Sequence, residues 1–175
     1  MGMNPPIWDE DINNLEEPFR AKGSEGIHEG LACLLLRAFS RFEAALKEAG
    51  YCKPRGEALR VEYSRFGEEH EEAFAEARLP VSGKYLTEHP PKRQVKENGK
   101  VLWRPMAPPP NPVTLKWLLE AAYQVRNNLF HGGKWTPEVR DPSRDENLLR
   151  AALSVVRCAM DLDDEVRRKY RDVIV

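Results

Sequence analysis

Apolar residues recur with the period of an α-helix in four segments of the chain. The first apolar face runs over residues 27–46, and the second covers residues 59–77 opposite a run of glutamates. The third covers residues 118–129 and the fourth covers residues 148–166. This spacing predicts four amphipathic helices, each with one face directed toward a shared core. A shorter helix over residues 7–19 is a further expectation.

The residues flanking these segments indicate where the helices begin and end. Gly50 follows the first apolar face and is expected to terminate it. Asn111 before Pro112 predicts an N-cap and a first helical position for the third helix. The fourth opens with Ser-Arg-Asp-Glu at residues 143–146, which has the spacing of a capping box with Ser143 as the cap.

The segment between the second and third helices has a different composition. Eight prolines within residues 79–112 exclude a long helix there. Inside this segment, residues 94–103 alternate around Asn98-Gly99, the strongest short-range signal for a two-residue hairpin turn. The sequence therefore predicts an all-α protein, a four- to five-helix bundle with an inserted β-hairpin around residues 94–103.

Length and composition restrict the classes of function. The 175 residues, 41% of them hydrophobic, suit one domain spanning residues 1–175 with a single core. The net charge of −1 means that any nucleic-acid contact depends on a local basic patch. Three widely spaced cysteines without a Cys-x-x-Cys pair argue against a zinc site or a disulfide framework. No signal peptide or apolar run suited to a membrane span is evident, so we expect a cytoplasmic protein without membrane association, metal or cofactor.

Candidate chemistry is concentrated at the end of the third predicted helix. Residues 126–134 read Arg-Asn-Asn-Leu-Phe-His-Gly-Gly-Lys, and the glycine pair is expected to stop the helix. The planar guanidinium of Arg126 suits a phosphate group, and His131 can exchange protons near neutral pH. This pair of side chains indicates chemistry on a phosphodiester without a metal ion.

The spacing of the pair raises a geometric problem. Five positions along a regular helix leave Arg126 and His131 roughly 140° apart around the axis. They converge only if the helix end relaxes before Gly132, or if a second copy of the chain brings its own helix end alongside. The alternative is that His131 and the following glycine form an ordinary helix C-cap, with the cation complementing the helix dipole.

The pattern Arg-x-x-x-x-His, with the polar Asn127 directly after Arg126, resembles the HEPN family (higher eukaryotes and prokaryotes nucleotide-binding). The resemblance covers residues 24–50 and 111–168, and it implies a helical bundle that dimerises and places two motifs in one cleft. Many such proteins cleave RNA without a metal, as toxins or anti-phage defence effectors, whereas inactive members serve as binding modules. The resemblance implies that Arg126 and His131 are catalytic, with Asn127 supporting them.

One position departs from the family pattern. The toxin branch that pairs with nucleotidyltransferase antitoxins has a tyrosine two residues after the histidine, and Gly133 stands there in this chain. That antitoxin mechanism is therefore not carried over, although an antitoxin or another regulatory protein remains an expected class of partner. The purpose of the hairpin, absent from a minimal family member, stays unassigned.

Other residues are candidates for contacting substrate, each with a simpler alternative. Asn128 and Lys134 flank the motif, and Lys134 also fits a solvated loop. Arg41 is positioned to line a dimer cleft or to pair with nearby glutamates. Lys96 and Lys100 of the hairpin suit single-stranded RNA, but charged side chains also protect an exposed ribbon from edge-to-edge aggregation.

Two hypotheses follow from these residues. The first is a metal-independent endoribonuclease that acts as a homodimer. The second is a catalytically inactive helical bundle that binds a nucleotide, RNA or protein partner through the same cleft. Outside the motif, His70 lies on the apolar face of the second predicted helix, and we expect it to be a partnered core histidine.

Overall fold

The computed structural model describes residues 29–77, 81–130 and 142–172. Within these ranges the chain is mostly helical, with two small two-stranded antiparallel sheets. The predicted helical class is therefore confirmed at this coarse level. In chain order the elements are α1 (Glu29–Glu48), β1 (Cys52–Arg55), β2 (Ala58–Val61), α2 (Tyr63–Glu69), α3 (Glu71–Ala77), α4 (Val81–Glu88), β3 (Lys92–Glu97), β4 (Lys100–Pro105), α5 (Leu115–Phe130), α6 (Pro142–Asp161) and α7 (Asp164–Asp172).

Helix α1 ends at a glycine, as its sequence predicts. Gly50 adopts a φ of 89°, which a residue with a side chain rarely tolerates. The amide of Gly50 donates to the Lys47 carbonyl at 3.1 Å, and the amide of Tyr51 donates to the Leu46 carbonyl at 2.8 Å. This pair of bonds is the Schellman arrangement, and it satisfies two carbonyl groups that the helix end leaves open.

The prediction of one helix over residues 59–77 is wrong at both its start and its middle. Leu59 lies in β2, which pairs with β1 through a turn where Gly56 has a φ of 61°. Helix α2 begins only at Tyr63, and the chain bends at His70 before α3. Helical periodicity misleads here because Val61 of β2 and Tyr63 and Phe66 of α2 pack against the core in succession, although Leu59 itself is exposed. A four-residue strand is also too short to show its own period.

The second hairpin is confirmed and is longer than expected. Strands β3 and β4 pair in register from Lys92–Pro105 to Glu97–Lys100, and the turn residues Asn98 and Gly99 have φ values of 50° and 75°. Positive φ at both positions is the signature of the type I′ turn that Asn-Gly favours. The preceding α4 was not expected, and its Leu86 is fully buried, so residues 79–112 contain part of the core as well as the hairpin.

Helices α5 and α6 do not begin at the residues that the sequence predicts. Helix α5 begins at Leu115 instead of Pro112, because Thr114 is its cap: the Trp117 amide donates to the Thr114 hydroxyl at 3.3 Å. Glu71 of α3 accepts the Leu115 amide at 2.9 Å, which satisfies a further free donor. Ser143 lies inside α6 instead of capping it.

The fourth predicted helix is divided in two. Helix α6 ends at Asp161, and Val166 belongs to α7. Asp163 caps α7, because its side chain accepts the Val166 amide at 2.9 Å. The sequence pattern continues across the break because both helices bury apolar residues against α1.

The core lies between α1, α5 and α6, with α2, α4 and α7 packed around them. Phe42 and Phe66 meet edge to face with ring centroids 6.1 Å apart, joining α1 to α2. No helix in the described ranges has the length and apolar character needed to cross a membrane. The largest fully buried side chains are Phe39, Phe42, Phe66, Leu35, Leu46, Leu86, Leu115, Leu118, Leu119, Leu148, Val125 and Val155.

Candidate functional site

Arg126 is held in place near the end of α5. Its Nη2 lies 3.6 Å from Oε2 of Glu43 on α1, and its Nη1 donates to Oδ1 of Asn127 at 3.0 Å. The guanidinium also lies over the Tyr123 ring, 5.6 Å from its centroid. The Arg126 side chain keeps 23% of its surface exposed, so the cation is positioned by protein contacts and still reaches solvent.

Glu43 connects Arg126 to a buried tyrosine. The Tyr63 hydroxyl donates to Oε1 of Glu43 at 2.7 Å, and the Tyr63 ring lies 5.3 Å from that of Tyr123. Burial raises the pKa of Tyr63 far above its ordinary value, and the negative charge of Glu43 raises it further. Tyr63 therefore remains a protonated donor, so the Glu43 carboxylate is oriented from one side by a hydroxyl and from the other by Arg126.

A groove of about 970 Å³ opens beside this cluster, bounded by α1, the β1–β2 hairpin, α2 and α5. We call it the basic groove, because cationic side chains outnumber the acidic ones along it. Four glutamates line it, at positions 43, 62, 68 and 120. Besides Arg126, six cationic side chains line it: Lys47, Lys53, Arg55, Arg60, Arg65 and Arg93.

These cations differ in how far they are already neutralised. Lys53 pairs with Glu62 at 3.2 Å, and Arg65 pairs with Glu69 at 2.7 Å. By contrast, Arg55, Arg60 and Arg93 are exposed and form no ion pair with any residue in the described ranges. Positive charge along the groove is therefore available to an anion from solution.

Two residues of the predicted catalytic motif lie within the described part of the chain. Arg126 and Asn127 are adjacent and hydrogen-bonded, as stated above. His131 and Lys134 lie outside the described residues, as does the glycine pair predicted to end the helix. Helix α5 extends to Phe130, so the helical state of the residues leading to His131 is as expected.

Asn128 is a structural link in this fold. It is 6% exposed, and its Nδ2 donates to the Lys92 carbonyl at 2.8 Å. Its Oδ1 accepts from Nε2 of Gln124 at 2.8 Å. Both ends of this side-chain amide are occupied, and it fastens the first residue of β3 to α5. Asn128 was a candidate for substrate contact, but these two bonds leave its amide engaged within the protein.

The other predicted contact residues lie away from Arg126. Arg41 is on the side of α1 that faces α7, where it lies over the Tyr170 ring at 5.1 Å and donates to the Arg171 carbonyl at 3.5 Å. Lys96 and Lys100 are exposed near the turn of the second hairpin, and neither lines the basic groove. The structure therefore does not bring these three cations together with the Arg126 cluster.

His70 is a partnered histidine, as expected. Its Nε2 lies 3.0 Å from the Tyr51 hydroxyl and 3.1 Å from Oδ2 of Asp163. Tyr51 also donates to Asp163 at 3.2 Å, so these three residues join the end of α1, the bend after α2 and the cap of α7. Burial, followed by the charge of Asp163, raises the pKa of Tyr51 to about 12.

No sequence pattern identifies the Glu43–Tyr63 part of the site. Glu43 is one of many glutamates on the chain, and Tyr63 was assigned to the apolar face of a helix. A hint was present in α1, where Glu43 directly follows the fully buried Phe42 and so borders the apolar face. A carboxylate at that border needs a partner once the helix packs, but the sequence does not identify that partner.

In the described ranges, no group of three or more His, Cys, Asp or Glu side chains is arranged to hold a metal ion. Comparisons with protein-family models, with curated proteins and with solved structures find no match to this chain.

Proposed function

We propose that this protein is a metal-independent endoribonuclease of the HEPN type. The observation that carries the proposal is the position of Arg126. It is a partly exposed guanidinium, fixed by Glu43 and Tyr123, on the wall of a groove rich in cations and five residues before His131. A preorganised cation beside a positively charged groove suits binding and charge stabilisation at a phosphodiester.

The chemistry follows from the two side chains of the motif. His131, as general base, takes the proton from a ribose 2′-hydroxyl, and the 2′-oxygen attacks the adjacent phosphorus. The bond from phosphorus to the 5′-oxygen breaks, and a protonated histidine, as general acid, gives a proton to that leaving oxygen. Arg126 binds the phosphate and stabilises its developing charge. The products are a 2′,3′-cyclic phosphate and a 5′-hydroxyl end, so the substrate must be RNA.

A homodimer is part of this proposal. On a regular helix, side chains five positions apart project roughly 140° from each other, so a helix continuing regularly to position 131 would not aim both residues of one copy at the same phosphate. A twofold axis near the ends of two α5 helices would supply Arg126 from one copy and His131 from the other. A role as a toxin or defence effector and an antitoxin-like regulatory partner are carried by the family resemblance alone, whereas action in the cytoplasm is the expectation from the sequence composition.

A catalytically inactive binding module is the second candidate, and the contacts of Arg126 favour it. Glu43, Asn127 and the Tyr123 ring already account for the guanidinium as a structural tie between α1 and α5. In that case the same groove binds a nucleotide, RNA or protein partner without altering it.

The deciding experiment compares wild type, His131→Ala, Arg126→Ala and Arg126→Gln on a mixed RNA pool with EDTA present. We expect wild type to cleave RNA in the chelator and to spare a substrate with 2′-deoxy sugars. Each variant should lose cleavage, because each lacks a proton-transfer or phosphate-binding group. Circular dichroism and thermal unfolding serve as the control that the variants remain folded.

Two results would contradict the proposal. Cleavage by His131→Ala at the wild-type rate removes the histidine mechanism, and cleavage that stops in EDTA removes the metal-independent one. If wild type binds RNA without cutting it, and His131→Ala changes only stability, by up to about 1 kcal/mol, the histidine is a helix cap. The binding module then becomes the leading function.

A further inference from the structure

The first hairpin, β1–β2, places its basic side chains on a single face. Lys53 lies opposite Arg60, and Arg55 lies opposite Ala58. Cross-strand partners point to the same side of a ladder, and so do residues two apart along a strand. Lys53, Arg55 and Arg60 therefore share one face of the hairpin, and all three are exposed. Like charges in such cross-strand pairs destabilise a sheet. Glu62 offsets Lys53 at 3.2 Å, whereas Arg55 and Arg60 form no ion pair in the described ranges.

This face belongs to the same groove as Arg126. The three side chains and Arg126 all line the basic groove, and Arg93 at the base of the second hairpin lines it too. The groove therefore extends from one hairpin, along α2 and α5, to the guanidinium that the proposed function assigns to the scissile phosphate. The half-buried ring of Tyr123 lies on the same wall.

We infer that the basic groove is the binding track for a single RNA strand, with Lys53, Arg55 and Arg60 holding phosphates that flank the one bound by Arg126. The choice of RNA rests on the proposed function; the presence of an anion track rests on the groove itself. Charged side chains that follow a strand's backbone, combined with an aromatic wall, are the usual means of binding single-stranded nucleic acid without reading its sequence. The guanidinium groups of Arg55 and Arg60 have the fork geometry that suits phosphate oxygens.

The first hairpin, and not the second, is therefore the one expected to contact RNA. The sequence pattern predicts that Lys96 and Lys100 of the second hairpin contact RNA, but both side chains are exposed outside the groove. The first hairpin, of which the sequence pattern placed only residues 59–61 in a helix, presents its cations toward the groove that contains Arg126.

The test is a binding measurement that does not depend on cleavage. Fluorescence anisotropy of a labelled 2′-O-methyl RNA strand reports binding of a substrate that the proposed chemistry leaves intact. We expect the triple variant Lys53→Gln/Arg55→Gln/Arg60→Gln to weaken binding at least tenfold at low salt. The plot of log K against log salt should become less steep by about 2, which is the value for three lost single-strand phosphate contacts. The matched control is Arg150→Gln/Arg157→Gln/Arg168→Gln, which removes the same charge from exposed positions on α6 and α7 and should bind as wild type does.

Competition measurements identify the class of ligand, and a second variant identifies the hairpin that binds it. DNA of the same sequence should compete with the RNA, because the groove recognises phosphate charge, whereas polyglutamate at equal charge should compete poorly. Polyglutamate that competes as well as RNA overturns the inference in favour of an acidic protein partner. Wild-type affinity in the triple variant also overturns it, as does a loss that follows Lys96→Gln/Lys100→Gln instead.

The binding result for the groove variant and the cleavage result for the proposed nuclease can be distinguished. Loss of binding in the groove variant, together with wild-type protein that never cuts RNA, supports the track and refutes the enzyme. Unchanged binding in the groove variant, together with His131-dependent cutting, refutes the track and supports the enzyme.

Discussion

At the scale of single residues, Glu43 determines how Arg126 is presented. A carboxylate beside a proposed phosphate-binding cation opposes the binding of an anion, so its presence needs a reason. Its second oxygen is fixed by the Tyr63 hydroxyl at 2.7 Å, and this keeps the Arg126 guanidinium against α1 and the Tyr123 ring. Glu43 is therefore a positioning residue: it weakens the local positive potential and in exchange fixes the direction of the guanidinium.

These two effects separate in Glu43→Gln. The amide keeps an oxygen for the Tyr63 hydroxyl but removes the charge that holds Arg126. We expect kcat for RNA cleavage to fall about tenfold through misplacement of the guanidinium. The Kd for 2′-O-methyl RNA should decrease, because one negative charge leaves the groove.

Glu68→Gln is the matched control for this residue. Glu68 lines the same groove, but it pairs with Lys116 at 2.9 Å and not with Arg126. The Glu68→Gln substitution should tighten RNA binding without lowering kcat. Equal kcat values for the two variants would show that Glu43 does not position Arg126.

At the scale of elements, the close contact between α2 and α5 depends on a glycine, which has no side chain to separate the two helices. A Cβ on Gly67 would lie 2.7 Å from the Cα and the backbone nitrogen of Lys116, which is closer than atoms approach in proteins. Helix α2 therefore packs directly on the backbone of α5. This close approach brings Tyr63 at the start of α2 toward Tyr123, so the spacing of two helices sets the geometry of the cluster around Arg126.

We expect Gly67→Ala to destabilise the protein by about 1–3 kcal/mol, because the methyl group forces the two helices apart. Gly30→Ala in α1 is the control, since no described atom lies within 4 Å of its added Cβ. That substitution should leave stability unchanged or raise it by about 0.5–1 kcal/mol through helix propensity. Urea unfolding of both variants measures the difference, and equal stabilities would contradict the close packing described here.

At the scale of the whole molecule, the proposal draws its site from two copies of the chain. Arg126 belongs to the described part of α5, and continued regular helix geometry would direct a side chain five positions later roughly 140° away around the axis. The proposal therefore requires an interface that places the ends of two α5 helices together.

A complementation experiment tests this arrangement. Arg126→Ala and His131→Ala chains with different affinity tags are expressed together, and the mixed dimers are isolated by tandem purification. Each mixed dimer retains one Arg126 and one His131 on opposite copies, so about half of the wild-type activity should return if one phosphate is served by both copies. Light scattering at micromolar concentration should report a dimer; a monomer, or mixed dimers as inactive as either parent, would count against the shared site.

The sequence by itself determined the features that depend on local chemistry. Apolar periodicity identified α1, α5 and most of α6, Gly50 identified the end of α1, and Asn98-Gly99 identified a hairpin turn, because each is governed by the residues at the position itself. It also singled out Arg126, since an arginine beside a polar residue near a helix end is a local pattern.

Only the tertiary structure decided which side chains surround Arg126 and which hairpin lines its groove. Glu43 and Tyr63 are 83 and 63 positions away from Arg126 in sequence, and the β1–β2 strands are too short for a recognisable period. Pairing across such distances is set by how helices pack, and packing depends on the shapes of all the buried side chains together. The sequence thus determined α1, α5, most of α6 and the motif, and the packing of α1, α2 and α5 decided what Arg126 contacts.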